Sequence, residues 1–354
     1  MSRRRTAGLL AIGVGVAGAA VGGAVAAQRR AIGQARRRPD PYVDEPLGKL
    51  HSQGLEVVAD DGVPLHVEVD GDEHAPLTVV FAHGYTLSID CWHFQRRDLG
   101  DLGRLVFYDQ RSHGASGRSP REHATIDQLG RDLYAVLQAI VPTGPVVLVG
   151  HSMGGMTVLA LADQHPELFG DRVIGVALLS TSTGKLAETL FGLPGWALRL
   201  ARPLLPTMVH AAQRRSAVLE RGRRTGTDAG FLTTRFVSFQ KDVPPSLVEF
   251  MEQMVASTPM EVMADFFDTF LSHDKLKALE VLRSVPVLIS CGEGDVLTPL
   301  SHSEVMADAL PEAELQIIDG GAHMAILDKH DQVNAALRRL VERAQALGKS
   351  RATA

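Results

Sequence analysis

The pentapeptide G-H-S-M-G at residues 150–154 constrains the fold of this chain more than any other feature. It follows the apolar run 146–149 and leads directly into a second apolar segment, 156–161. A strand that passes through G-x-S-x-G into a helix makes a sharp, strained turn, and the small flanking residues let the serine hydroxyl project above a sheet edge. In this context the motif predicts Ser152 as a nucleophile.

A serine nucleophile needs a histidine that takes its proton and a third group that holds the histidine. A buried strand is predicted over 285–291 and is followed by Asp295, and the last predicted strand is followed by His323. The order Ser152, Asp295, His323, with each residue on a loop after a separate strand, is that of one hydrolase architecture. Glu293 lies on the same loop as Asp295 and is the alternative acid.

Acyl transfer also requires hydrogen-bond donors for the oxyanion of the tetrahedral intermediate. The backbone N–H of Met153, next to the nucleophile, is one predicted donor. The other is the N–H of Tyr85, because a strand predicted over 77–82 ends in a His-Gly turn, where Gly84 allows the backbone to bend. His83 is interpreted as holding this turn by hydrogen bonds rather than as a catalytic group.

Taken in order, these motifs resemble those of the α/β-hydrolases of the serine esterase and lipase type. The resemblance covers about residues 52 to 345. Its motifs are His83-Gly84, D-Q-R-S-H-G-A-S at 109–116, G-H-S-M-G-G at 150–155, Gly292 to Asp295, and G-A-H at 321–323. The resemblance implies an α/β-hydrolase fold, with a mostly parallel central sheet, helices on both faces and an inserted helical cap.

The resemblance also bears on single residues. It favours Asp295 over Glu293 as the acid, because the V-L-T-P sequence after Asp295 is similar to the short turn into a helix that follows the acid in the family. Asp109, Arg111 and His113 are interpreted as structural, since ion pairs and turn contacts account for them without chemistry.

The alternation of predicted strands and helices defines the domains. A hairpin around Asp60-Asp61-Gly62 begins the sheet, and strands and helices then alternate until they stop near residue 183 and resume near 285. The predicted organisation is a basic, Gly/Ala-rich N-terminal segment at 1–38, an α/β-hydrolase core at 39–182 and 284–354, and a helical cap at 183–283. Most of the chain's 12 phenylalanines lie in the predicted cap, so some are expected to line an apolar pocket.

Composition excludes several classes of protein. The chain has 354 residues, of which 45% are hydrophobic, and it can therefore bury a large core. Its two cysteines, Cys91 and Cys291, are predicted to be free thiols. There is no P-loop and no H-E-x-x-H motif, so neither a cofactor nor a metal is expected. Residues 1–38 hold eight arginines and no acid, which leaves 36 − 8 = 28 basic against 41 acidic residues in the remainder. A domain this acidic is not expected to bind nucleic acid.

The N-terminal segment carries a prediction of its own. Residues 6–28 are uncharged, lie between arginines and have about the length of a membrane-spanning helix. They predict membrane association through an uncleaved anchor, with the catalytic domain on the cytoplasmic side. The alternatives are a signal peptide cleaved near the A-x-A site at 24–26, which would give a secreted enzyme, and an unstructured tail.

The function predicted from these features is hydrolysis of carboxylic esters through a Ser-His-Asp triad and an acyl-enzyme. The substrate is expected to be a small-molecule ester or a lipid with an apolar acyl chain of short to medium length. Because one fold hosts many reactions, a thioesterase, a C–C bond hydrolase and a cofactor-free perhydrolase are the alternatives. The intact Ser152, Asp295 and His323 argue against a non-enzymatic binding protein. No oligomeric state is predicted.

Overall fold

A computed structural model describes residues 33–186 and 228–352, and an eight-stranded sheet lies at its centre. The strands are β1 (Gly54–Val58), β2 (Pro64–Asp70), β3 (Thr78–Ala82), β4 (Arg104–Tyr108), β5 (Val146–His151), β6 (Val173–Leu179), β7 (Val287–Gly292) and β8 (Glu314–Ile318). Their order in the sheet is β1-β2-β4-β3-β5-β6-β7-β8. Strand β2 pairs antiparallel with β1 and β4, and the other neighbours are parallel. The predicted fold class and the predicted hairpin are therefore confirmed.

Helices cover both faces of this sheet. They are α1 (His93–Asp98), α2 (Ile126–Ile140), α3 (Met153–Gln164), α4 (Asp228–Ser238), α5 (Pro245–Ser257), α6 (Met260–Asp265), α7 (Phe267–Ser272), α8 (Leu279–Leu282), α9 (Leu300–Ala309), α10 (Ala325–Asp328) and α11 (His330–Ala352). Strand β3 shows how the two layers are built, because Val79 and Phe81 pack with α1 and α11 while Val80 and Ala82 pack with α2 and α3. Burial on both faces accounts for the continuous apolar run of this strand.

Helices α4 to α7, called the inserted helices here, lie between β6 and β7 in the chain. Some of their aromatic side chains, such as Phe231 and Phe266, are buried, whereas Phe236 is 75% exposed. The helical character expected after β6 thus appears over 228–272, while 187–227 lies outside the described residues. The exact cap boundaries stay a prediction.

Residues 35–45, called the strap here, connect the inserted helices to the core. Asp40 accepts hydrogen bonds from the backbone N–H and the hydroxyl of Ser246 at the start of α5, at 2.8 and 2.7 Å. Further along the strap, the Tyr42 ring packs on Phe94 and its hydroxyl lies 3.1 Å from Nε2 of His330. The strap therefore contacts both parts of the fold.

Two arginines of the basic N-terminal run belong to this connection. The guanidinium of Arg36 lies over the Phe231 ring, and Arg38 forms an ion pair with Asp242 at 2.8 Å. Both contacts are made with residues about 200 positions away in the sequence.

The predictions of a transmembrane helix and of a membrane-associated localisation are wrong. Across 33–186 and 228–352, no helix is both long enough and apolar enough to cross a bilayer. The segment 6–28, on which these predictions rested, lies outside the described residues. Its composition was a weak basis, because glycine and alanine supply length without much hydrophobicity.

Candidate active site

Ser152 occupies the sharp turn between β5 and α3. Its φ of 52° and ψ of −117° place it in a region of backbone conformation that residues with a side chain rarely adopt. The flanking glycines are required by close packing: a Cβ at Gly150 would lie 2.5 Å from the carbonyl oxygen of Gly154, and one at Gly154 would lie 1.9 Å from that of Ala82. The motif thus holds a half-buried serine at the end of a buried strand.

The structure brings the three residues predicted for catalysis into one hydrogen-bonded line. Nε2 of His323 lies 3.0 Å from the Ser152 hydroxyl, and Nδ1 of the same ring lies 2.9 Å from Oδ2 of Asp295. The three residues follow β5, β7 and β8, which are parallel strands, so their C-terminal ends meet at one edge of the sheet. The arrangement allows a proton to pass from Ser152 to His323.

Asp295 is buried and fully engaged. Its carboxylate accepts hydrogen bonds from the backbone N–H groups of Leu297 and Thr298 and from the Thr298 hydroxyl, each at 2.9 Å. Burial on its own would raise the pKa of Asp295, but the charge of His323 and the hydrogen bonds from His323 and Thr298 outweigh it, so the pKa is lowered. Asp295 is therefore ionised at neutral pH. Glu293, the alternative acid, is exposed to solvent.

His151, the residue before Ser152 in the pentapeptide, contacts the loop that carries His323. It is buried, and its Nε2–H donates to the carbonyl oxygen of His323 at 2.9 Å. Burial, followed by the charge of His323, lowers the pKa of His151 to about 3, so the ring is neutral. His151 was not among the predicted site residues, although its place at the end of a strand buried on both faces indicates a core position.

The residues that carry the predicted oxyanion donors, Tyr85 and Met153, both lie close to Ser152. Met153 follows Ser152 and begins α3. The turn that carries Tyr85 lies against Ser152, as shown by Gly84, where a Cβ would lie 3.2 Å from the Cβ of Ser152. Within the part of the chain that the structure describes, neither amide donates a hydrogen bond to a protein acceptor. Both remain available to a ligand.

His83 fixes the turn that carries the Tyr85 amide. Its Nδ1–H donates to the carbonyl oxygen of Gly84 at 2.7 Å, and its Nε2 accepts from the backbone N–H of Gln110 at 2.9 Å. Because both ring nitrogens are engaged and burial lowers the pKa to about 3, His83 is a neutral structural residue.

The 109–116 segment follows β4, which pairs with β3, and its charged side chains are held by ion pairs and hydrogen bonds. Arg111 is buried and forms ion pairs with Asp61 at 2.7 Å and with Asp132 at 2.6 Å. The Asp109 carboxylate accepts hydrogen bonds from the backbone N–H groups of Ile89 and Ala115, both at 2.8 Å. These contacts are structural, as the sequence suggested.

One group of side chains in the described ranges has the spacing of metal ligands. It consists of Asp98, His330 and Asp331, on α1 and α11 rather than on the loops around Ser152. Arg97 already forms an ion pair with Asp98 at 2.7 Å, which makes this group a poor cation site.

Comparison with known proteins shows similarity to hydrolases over a region that includes Ser152, Asp295 and His323. The profile of the alpha/beta hydrolase fold family matches residues 78–330. A provisionally named carbamate hydrolase from a Caulobacter species is 28% identical over 265 residues, 73% of this chain and 88% of that protein. The 3-oxoadipate enol-lactonase 2 of Acinetobacter baylyi is 23% identical over 282 residues, 79% of this chain and 94% of the lactonase. A thermophilic esterase from Thermogutta terrifontis has a similar structure, with a TM-score of 0.62 and 24% identity over 83% of this chain and 99% of the esterase.

Proposed function

This chain belongs to the α/β-hydrolase family, and from that premise we propose that it hydrolyses carboxylic esters through an acyl-enzyme. The observation that carries the proposal is the hydrogen-bonded line from Ser152 through His323 to Asp295. One relative is named an enol-lactonase and one protein of similar structure is titled an esterase, and these names support an ester as the bond that is cleaved.

In the proposed mechanism, the Ser152 hydroxyl attacks the ester carbonyl while Nε2 of His323 takes its proton. The ionised Asp295 holds the ring and stabilises the imidazolium that forms. The N–H groups of Tyr85 and Met153 donate to the oxyanion. Collapse of the intermediate expels the alcohol, which receives the proton from His323. Water, activated by the same histidine, then attacks the acyl group and restores Ser152.

An apolar acyl group is the proposed substrate feature. Met153 and Met156, one and four residues after the nucleophile, pack with Val262 of α6 and with Phe266, which joins α6 to α7, and Phe270 packs against this cluster. An apolar wall beside the reacting serine favours uncharged chains, with each buried methylene adding about 0.8 kcal/mol to binding until the space is filled. Short to medium acyl chains should therefore be preferred.

Two experiments on the full chain test the proposal. Wild type should hydrolyse p-nitrophenyl esters and become labelled by a fluorophosphonate, whereas Ser152→Ala should lose turnover by about 10⁴-fold to 10⁶-fold and lose labelling. The exposed Ser301→Ala is the matched control and should behave as wild type. Full labelling of the Ser152→Ala protein would defeat the assignment.

A panel of substrates tests which bond the enzyme cleaves and which acyl chain length it prefers. Rates along a series of acyl lengths should rise and then fall. A preference for acetyl, or a flat profile, would contradict an apolar acyl site. Faster turnover of thioesters than of matched esters and lactones would move the function to the thioesterase alternative.

A further inference from the structure

The inserted region contacts three loops near the site: those that carry Tyr85, His323 and Asp295. The Tyr85 hydroxyl donates to the carbonyl oxygen of Met263 in α6 at 2.5 Å. The backbone N–H of Met324, the residue after His323, donates to the carbonyl oxygen of Ser238 at 2.9 Å. These contacts suggest that the helices support the catalytic loops as well as cover them.

A third contact involves the acid loop. A Cβ at Gly294, directly before Asp295, would lie 1.6 Å from Nε2 of Gln240. The Gln240 side chain, which follows α4, therefore packs directly on this loop, and a Cβ at Gly294 would force the Gln240 amide to shift.

The contact at Tyr85 differs from the contacts at Met324 and Gly294. Tyr85 both contacts the inserted helices, through its side chain, and carries the proposed oxyanion donor, its backbone N–H. Its ring meets Phe270 at 5.0 Å and His113 at 6.0 Å between centroids, in edge-on arrangements. Burial, with a smaller effect of Asp265, raises the pKa of the Tyr85 phenol, so it remains protonated and donates. The ring therefore has a fixed position relative to α6.

The backbone next to Tyr85 needs such a restraint. Thr86 has a φ of 60°, which is unfavourable for a β-branched residue and persists only where neighbouring contacts impose it. Before Tyr85 in the chain, the turn is held by the hydrogen bond from His83 to the carbonyl oxygen of Gly84. The second restraint on the turn is the hydrogen bond from the Tyr85 phenol to Met263.

We propose that the Tyr85 side chain is a positioning residue for the reaction: its hydrogen bond to Met263 of the inserted helices fixes the direction of its own backbone N–H toward the oxyanion. The inference rests on the proposed ester hydrolysis and assigns the inserted helices a part in building the oxyanion site.

Tyr85→Phe tests this inference in the full chain, because it removes only the hydroxyl. Turnover, kcat, should fall about threefold to thirtyfold, less than the 10²–10³ that loss of a whole oxyanion donor costs, with KM within twofold of wild type. The inhibition constant of a trifluoromethyl ketone, which forms an oxyanion on the serine, should rise by the same factor as kcat falls.

Tyr42→Phe is the matched control. It also removes a phenol hydrogen bond, to His330, but at the strap. This variant should keep the wild-type kcat and inhibition constant. Amide hydrogen exchange over 83–88 should accelerate in Tyr85→Phe and remain unchanged in Tyr42→Phe.

The outcomes separate this inference from the proposed function. If wild type hydrolyses esters and Tyr85→Phe matches it in kcat, inhibition and exchange, the positioning role is overturned while the proposed function stands. If kcat falls equally in Tyr85→Phe and Tyr42→Phe, the loss reflects a general destabilisation of the protein, and the positioning role of Tyr85 is again overturned. If wild type neither turns over esters nor reacts with the fluorophosphonate, the proposed function fails and the inference fails with it.

Discussion

Replacing Ser152 by glycine should stabilise the protein relative to replacing it by alanine, which reverses the usual order of these residues. Both changes remove the hydroxyl and its 3.0 Å hydrogen bond to His323, so that loss cancels in the comparison. What differs is the Cβ, which alanine keeps at a φ of 52° and a ψ of −117°. The pair of variants therefore isolates the backbone strain of the nucleophile turn.

The expected magnitude follows from two opposing effects. A residue with a side chain held in such a conformation costs about 1–3 kcal/mol. Glycine loses more conformational freedom on folding than alanine, which costs about 0.5–1 kcal/mol. The middle of these ranges leaves Ser152→Gly about 1 kcal/mol more stable than Ser152→Ala.

Urea unfolding of the two variants, followed by fluorescence and circular dichroism, measures this difference directly. The control is Ala335→Gly at an exposed position inside α11, which should lose about 1 kcal/mol because the helix backbone is unstrained there. If Ser152→Ala is the more stable variant by an amount similar to that control, the turn stores no strain and the reasoning is refuted.

Two further predictions follow from the site. Asp295→Asn should reduce kcat by about 10⁴-fold, as loss of a triad carboxylate does, while Glu293→Gln should leave it near wild type; the reverse result would transfer the role to Glu293. The buried rings of His83, His113 and His151 have pKa values lowered by burial to about 3, 4 and 3, against about 6.5 when unfolded. The stabilisation by these neutral buried rings is fully present above pH 6.5. The free energy of unfolding should fall by on the order of 1 kcal/mol per pH unit for each ring as the pH falls from 6.5 toward 4. Urea midpoints that stay constant from pH 7 to 4 would contradict this.

The parts predicted from sequence are those in which local pattern and sheet geometry agree. Strands buried on both faces read as apolar runs, and the ends of parallel strands must meet, so the order of Ser152, Asp295 and His323 predicted their proximity. The predicted class, an enzyme of the α/β-hydrolase family, is confirmed by the family match and the relatives, while ester hydrolysis remains the proposed reaction. The catalytic roles of the individual residues remain predictions.

The parts that sequence missed depend on contacts between distant segments. No spacing rule places the Tyr85 phenol on the Met263 carbonyl, 178 positions later. Charge pattern alone suggested a membrane-flanking role for the N-terminal arginines, whereas Arg38 pairs with Asp242, 204 positions away. Such pairings are set by tertiary packing, which local composition does not encode.

The strap has a mechanical consequence for any opening of the inserted helices. A segment inserted between two strands is joined to the core by two crossings of the chain and could swing about the line between them. Besides the contacts of the core with Met263 and Ser238, the strap adds an attachment at Ser246, near the start of α5, and the strap is itself held to the core through Tyr42. This attachment opposes rotation about the two crossings. Helix α5 can move away from the core only if the bond between Asp40 and Ser246 breaks or the strap moves with it.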